Sequence, residues 1–135
     1  MYLFRTFTAA TIALAFGSLA AFCQQAGAPE VWGGPHASLV MSQENVTLEF
    51  DCAQGDIPAP IQPDSNGNFS VAGTYTPQHG GPISKDEVPS DLPATYKGTI
   101  HGDTMQLEVL LSDKSRQPPP MTLTKGKPAR IVKCR

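Results

Sequence analysis

Charge is sparse in this sequence. Only 16% of its 135 residues are Asp, Glu, Lys or Arg, and 10 basic against 12 acidic residues leave a net charge of −2. Without an excess of cations the chain lacks the electrostatic footprint of a nucleic-acid-binding module. At 40% hydrophobic residues it also lacks the composition of a disordered chain. Cysteine is scarce, at three residues, and no paired-cysteine motif is present. No helical stripe of apolar residues runs through any segment, and the length is too short for a two-domain enzyme. What is plentiful is proline and glycine, 13 and 12 residues respectively, a composition that favours turns and short extended segments over long helices.

The first residues read as a leader. Met1 to Arg5 carries one positive charge, Thr6 to Phe22 carries none around an apolar Ile12–Phe16 centre, and small residues gather at Ser18, Ala20 and Ala21. That order is the pattern of a secretory signal peptide. The uncharged stretch is shorter and more polar than the ~20 apolar residues of a membrane span, so no span is expected after cleavage. Cleavage is expected after Cys23, with Ala21 and Cys23 as the small recognition residues. Lipid attachment at Cys23 is the alternative, disfavoured because Phe22 stands where a small residue belongs. The expected organisation is a signal peptide over 1–23, an irregular lead-in over 24–37 and a single β domain over 38–135. After cleavage the charge becomes −3 (9 basic minus 12 acidic). The expected location is periplasmic or secreted, and in that oxidising setting the remaining Cys52 and Cys134 are expected to pair.

Short segments of period-2 alternation fill the mature chain. Ser38–Ser42 is a first candidate strand. In Asn45–Cys52, Val46, Leu48, Phe50 and Cys52 share one face. Gly55-Asp56 breaks the run, and the proline-interrupted Ile57–Gln62 suits an edge strand. After a turn cluster at Pro63–Gly67 come Asn68–Thr76, a long loop over Pro77–Pro93, and Thr95–His101 with Thr104–Leu111 around a Gly102-Asp103 hairpin turn. A proline-rich loop over Ser112–Pro120 precedes Met121–Lys125 and Ala129–Cys134. The fold class expected is all-β: an antiparallel meander of about eight strands, closed or nearly closed into a barrel, with one disulfide.

Several segments together resemble a group of small secreted bacterial proteins of uncharacterised function. They are Trp32-Gly33-Gly34-Pro35-His36, Leu48-Glu49-Phe50-Asp51-Cys52-Ala53-Gln54-Gly55, Gly73-Thr74-Tyr75 with His79-Gly80-Gly81-Pro82, and Tyr96 to Met105, with the closing Lys133-Cys134. The resemblance spans nearly all of the mature chain. It implies a bacterial exported protein and no particular activity.

Chemistry-bearing motifs are few. His36, His79 and His101 have none of the spacings of a zinc site, so no metal or cofactor is expected. Two His–Gly-Gly-Pro neighbourhoods, at 33–36 and 79–82, read first as tight turns, and no nucleophile elbow accompanies them. Trp32 reads as a cap on a barrel end. The candidate ligand or rim positions are Trp32, His36, Tyr75, His79, Tyr96 and His101. Three functions are open at this level. The first is non-catalytic binding of a small apolar ligand, the second an envelope-protein interaction or inhibitor module carried on the long loops. The third, least supported, is a small metal-dependent hydrolase.

Overall fold

A computed structural model describes residues 27–88, 90–114 and 117–134; the proposed leader and Cys23 lie outside them. Alternation of apolar and polar residues produces eight strands: β1 (Glu30–Gly34), β2 (Ala37–Met41), β3 (Val46–Phe50), β4 (Ala53–Ile57), β5 (Asn68–Pro77), β6 (Leu92–His101), β7 (Thr104–Leu111) and β8 (Met121–Lys125). Each pairs antiparallel with its neighbour in sequence, and β1 closes on β8 through Trp32↔Lys125 and Gly33↔Thr124. The protein is therefore a closed, up-and-down eight-stranded barrel.

The alternation carries through to burial. In β7, Met105, Leu107, Val109 and Leu111 are buried and the residues between them are exposed or partly so. In β3, Val46, Leu48 and Phe50 point in while Thr47 faces out. The inward residues fill the barrel: Leu39, Val46, Ile57, Tyr96, Met105, Val109 and Leu123 have no exposed surface. Eight strands make an interior about wide enough for side chains to fill, and here they do. Tyr96 spans the middle, donating its hydroxyl to the Thr74 carbonyl at 2.6 Å. Its ring needs Gly55 and Gly73 opposite it, because a Cβ on Gly55 would stand 2.3 Å from the phenol oxygen. Burial first, then the neighbouring Tyr75 and Asp56, push the Tyr96 phenol up from its ordinary range.

The strand count of eight is reached with two different members from those expected. The lead-in assigned to 24–37 is irregular only in part, because Glu30–Gly34 forms β1. Its two glycines weaken a strand in isolation, but pairing to β2 on one side and β8 on the other holds it. Gly55-Asp56 does not break the chain either: Ala53–Ile57 is β4, and the interrupted Ile57–Gln62 is a strand only at Ile57. Ala129–Cys134, expected as a final strand, makes a single parallel bridge, Pro35↔Arg130.

That last segment is instead an external strap. After Lys125 the chain turns, with the Gly126 amide on the Val31 carbonyl at 2.7 Å, and crosses the outside of β1. Gly33 makes room for it: a Cβ there would meet the Lys127 carbonyl oxygen at 2.1 Å. Arg130 N–H then bonds to the Gly34 carbonyl at 3.0 Å, and the His36 amide to the Arg130 carbonyl at 2.8 Å. Lys133 pairs with Glu49, and Cys134 bonds to Cys52 with the α-carbons 5.3 Å apart. The expected disulfide is present. The strap carries Cys134 past β1 and β2 to the turn between β3 and β4, where Cys52 lies.

Candidate functional site

The strap ends at the end of the barrel formed by the β1–β2 turn, the β3–β4 turn and the start of β8. Gly34↔Ala37 pairing leaves Pro35 and His36 as a two-residue turn. Proline fixes the first central position at negative φ, and His36 takes φ of 69° at the second, where a type II turn favours glycine. A non-glycine residue held in this region carries about 1 kcal/mol or more of strain. What it gains is orientation: His36 Nδ1 lies 2.6 Å from Asp51 Oδ2. The other Asp51 oxygen accepts the Val132 N–H of the strap at 2.8 Å. Partial burial pushes the Asp51 carboxyl up, but the Val132 amide and His36 outweigh it and hold it below the usual carboxylate range.

Beside this pair opens a cleft of about 420 Å³ lined by His36, Phe50, Asp51, Cys52, Tyr75, Pro118–Pro120 and Met121. Its volume falls within the range of small-molecule sites. Phe50, 5% exposed, and half-buried Tyr75 contribute rings whose centroids are 5.5 Å apart at a 45° tilt. Three successive prolines, which have no N–H to satisfy, and Met121 add further apolar surface. Burial raises the Tyr75 phenol. His36 Nε2 and the Tyr75 hydroxyl make no hydrogen bond among the described residues, so the cleft offers an apolar lining with two free polar atoms. The only cysteine among its described lining residues is tied up in the disulfide, and none of those residues carries an aliphatic hydroxyl. The His36–Asp51 pair thus has no alcohol or thiol beside it to activate.

The remaining sequence candidates lie elsewhere. Trp32, 2% exposed, closes the opposite end of the interior, with the Lys125 ammonium 5.8 Å from the ring centroid and the Lys125–Glu30 ion pair at 2.9 Å. Tyr96 is a fully buried core residue. His79 sits in the β5–β6 loop against Glu87, whose carboxylate raises the imidazole above its ordinary range. His101 is exposed beside the β6–β7 turn. The structure therefore unites His36 with Tyr75 and disperses the other four. No group of three or more His, Cys, Asp or Glu placed to hold a metal occurs among the described residues.

A larger hollow, about 570 Å³, lies on the outer faces of β2 to β5. Its lining is mainly hydroxyl, amide and carboxylate, and several of those groups already have partners: Thr76 donates to Asp91 at 2.5 Å, and Glu49 pairs with Lys133. It is a polar outer wall, and we assign the candidate site to the smaller apolar cleft. Sequence reasoning missed Pro118–Pro120, read as loop, and Phe50 and Met121, read only as strand residues. A run of three prolines ahead of an apolar strand was the available signal.

No protein-family model, curated protein or solved structure matches the chain.

Proposed function

We propose that this is an exported bacterial protein that binds a small, largely apolar molecule without transforming it, at the disulfide end of the barrel. Export is supported by the order of residues at the start of the chain and by the Cys52–Cys134 bridge, which suits an oxidising compartment. The observation that carries the binding reading is the cleft between Phe50, Tyr75, Met121 and the three prolines. The interior is occupied by buried side chains, which supports a site at the mouth. Native mass spectrometry of protein purified from its producing cells, with displacement of an apolar fluorescent dye, tests this. Dye binding that is displaced by the extracted molecule, and lost in Pro119→Arg, is expected; dye binding unchanged in Pro119→Arg refutes the placement.

A second reading has its own support. The loop between β5 and β6 leaves Ile83 79% and Val88 82% exposed, and apolar side chains presented on a loop suit contact with another envelope protein. Under that reading a partner captured from envelope extract is lost when residues 82–92 are deleted, and its recovery by the deleted variant rules the reading out. The hydrolase reading gains nothing from the positions of the histidines.

A further inference from the structure

The cleft's polar corner narrows what it can hold. Ionised Asp51 has only acceptor atoms, and Oδ2 lies 2.6 Å from His36 Nδ1. The proton of that contact therefore belongs to Nδ1. Oδ1 is occupied by the Val132 amide, itself fixed by the strap and the neighbouring disulfide. Asp51 thus cannot rotate away, and the tautomer of the neutral imidazole is set: with Nδ1 protonated, Nε2 is left as a hydrogen-bond acceptor. The unusual φ of His36 shows that the turn holds the ring at this place against a local preference.

Charge narrows the choice further. Among the described residues the lining contains Asp51 and no Lys or Arg, so they offer an anion no permanent cation. Each Asp51 oxygen already accepts a hydrogen bond, and the described lining has no second carboxylate to share a cation with it. These features favour a neutral ligand that brings a donor to Nε2. Its body meets the Phe50 and Tyr75 rings and the faces of three prolines, a lining that favours a flat ring over a branched chain.

Resting on the binding reading above, we propose that the cleft selects a neutral hydroxyl-bearing aromatic compound of the phenol class, whose O–H donates to His36 Nε2 while its ring lies against Phe50, Tyr75 and Pro118–Pro120. His36 is then the residue that determines specificity and Asp51 the residue that positions it.

The test uses the intact, oxidised protein at pH 8, above the ordinary imidazole range. p-Cresol, toluene and p-toluate are titrated separately, followed by NMR of the Met121 methyl group and the His36 ring. p-Cresol is expected to shift both signals and to bind about three- to ten-fold more tightly than toluene, the worth of one net hydrogen bond. In His36→Gly, which accepts the same positive φ, p-cresol and toluene are expected to bind alike. Equal binding of p-cresol and toluene to the unaltered protein overturns this inference but leaves the apolar site standing. Tightest binding of p-toluate overturns it as well. If none of the three moves the Met121 methyl, the binding reading falls with it.

Discussion

Replacing Gly55 by Ala isolates the packing arrangement at the centre of the barrel. Gly55 has no unusual φ, so alanine costs nothing in backbone geometry. The effect comes from contact alone: the new methyl would stand 2.3 Å from the Tyr96 hydroxyl oxygen, 3.1 Å from the ring carbon that bears it and 3.3 Å from the Leu48 Cβ. Overfilling a packed core by one methyl costs about 1–3 kcal/mol. Driving the Tyr96 hydroxyl off the Thr74 carbonyl leaves a buried donor unpaired and costs about 1–3 kcal/mol more. Together these predict a loss of about 2–6 kcal/mol for Gly55→Ala. Tyr96→Phe alone gives up one hydrogen bond and is expected to cost about 1 kcal/mol. It also removes the atom that the new methyl would strike. The double variant is therefore expected to be more stable than the sum of the single losses by at least about 1 kcal/mol, beyond the few tenths seen for independent sites. Urea unfolding of all four proteins with the disulfide intact measures this coupling. Additive losses would refute the packing argument.

Other expectations follow from the periphery. Removing the bridge by Cys52→Ala with Cys134→Ala opens a loop spanning 82 residues and is expected to lower stability by roughly 4 kcal/mol in chemical denaturation. The barrel's β signal in circular dichroism should be retained, and amide protection should be lost chiefly over 126–134. The Glu87 carboxylate raises His79 and His79 lowers Glu87. NMR titration should show His79 protonating at higher pH than in Glu87→Gln, with the stabilisation of the loop present where Glu87 is ionised and His79 protonated, lost as pH rises through the folded His79 pKa and also as it falls through the folded Glu87 pKa. Asp51 has the opposite sign. Its lowered pKa means that its contribution is present above the unfolded value and lost as pH falls through the folded one. Acid unfolding should accordingly shift less steeply with pH in Asp51→Asn, and an unchanged slope would contradict the assigned contacts.

The residues differ in how openly they announce their roles. β7 was legible to the residue, since Met105, Leu107, Val109 and Leu111 alternate without interruption and a hairpin turn fixes their start. β4 was not. In Ala53-Gln54-Gly55-Asp56-Ile57 two of the three inward residues, Ala53 and Gly55, are small, and Gly55 is small because the Tyr96 ring lies over it, a partner some forty positions away. β1 is hidden for a related reason: Gly33 is a site of close approach for the strap, which nothing local reveals. The strap itself looks like a strand because Ile131 and Val132 are apolar neighbours, yet with β8 already paired to β1 no edge remains for it to join. At the site, His36 was visible through its place next to Pro35. Its Asp51 partner came from a turn that only the barrel brings near, and the prolines of 118–120 looked like connection.

The central claim is that the interior is closed to ligands and the disulfide end is open to them. Two methionines report on these places separately: Met105, fully buried in the barrel, and Met121, at the cleft and 8% exposed. Methyl-resolved NMR during titration with p-cresol reads both in one experiment. Saturable movement of the Met121 methyl with Met105 unmoved is the predicted result. Movement of Met105 that matches or exceeds that of Met121 would place the ligand inside the barrel and contradict the account.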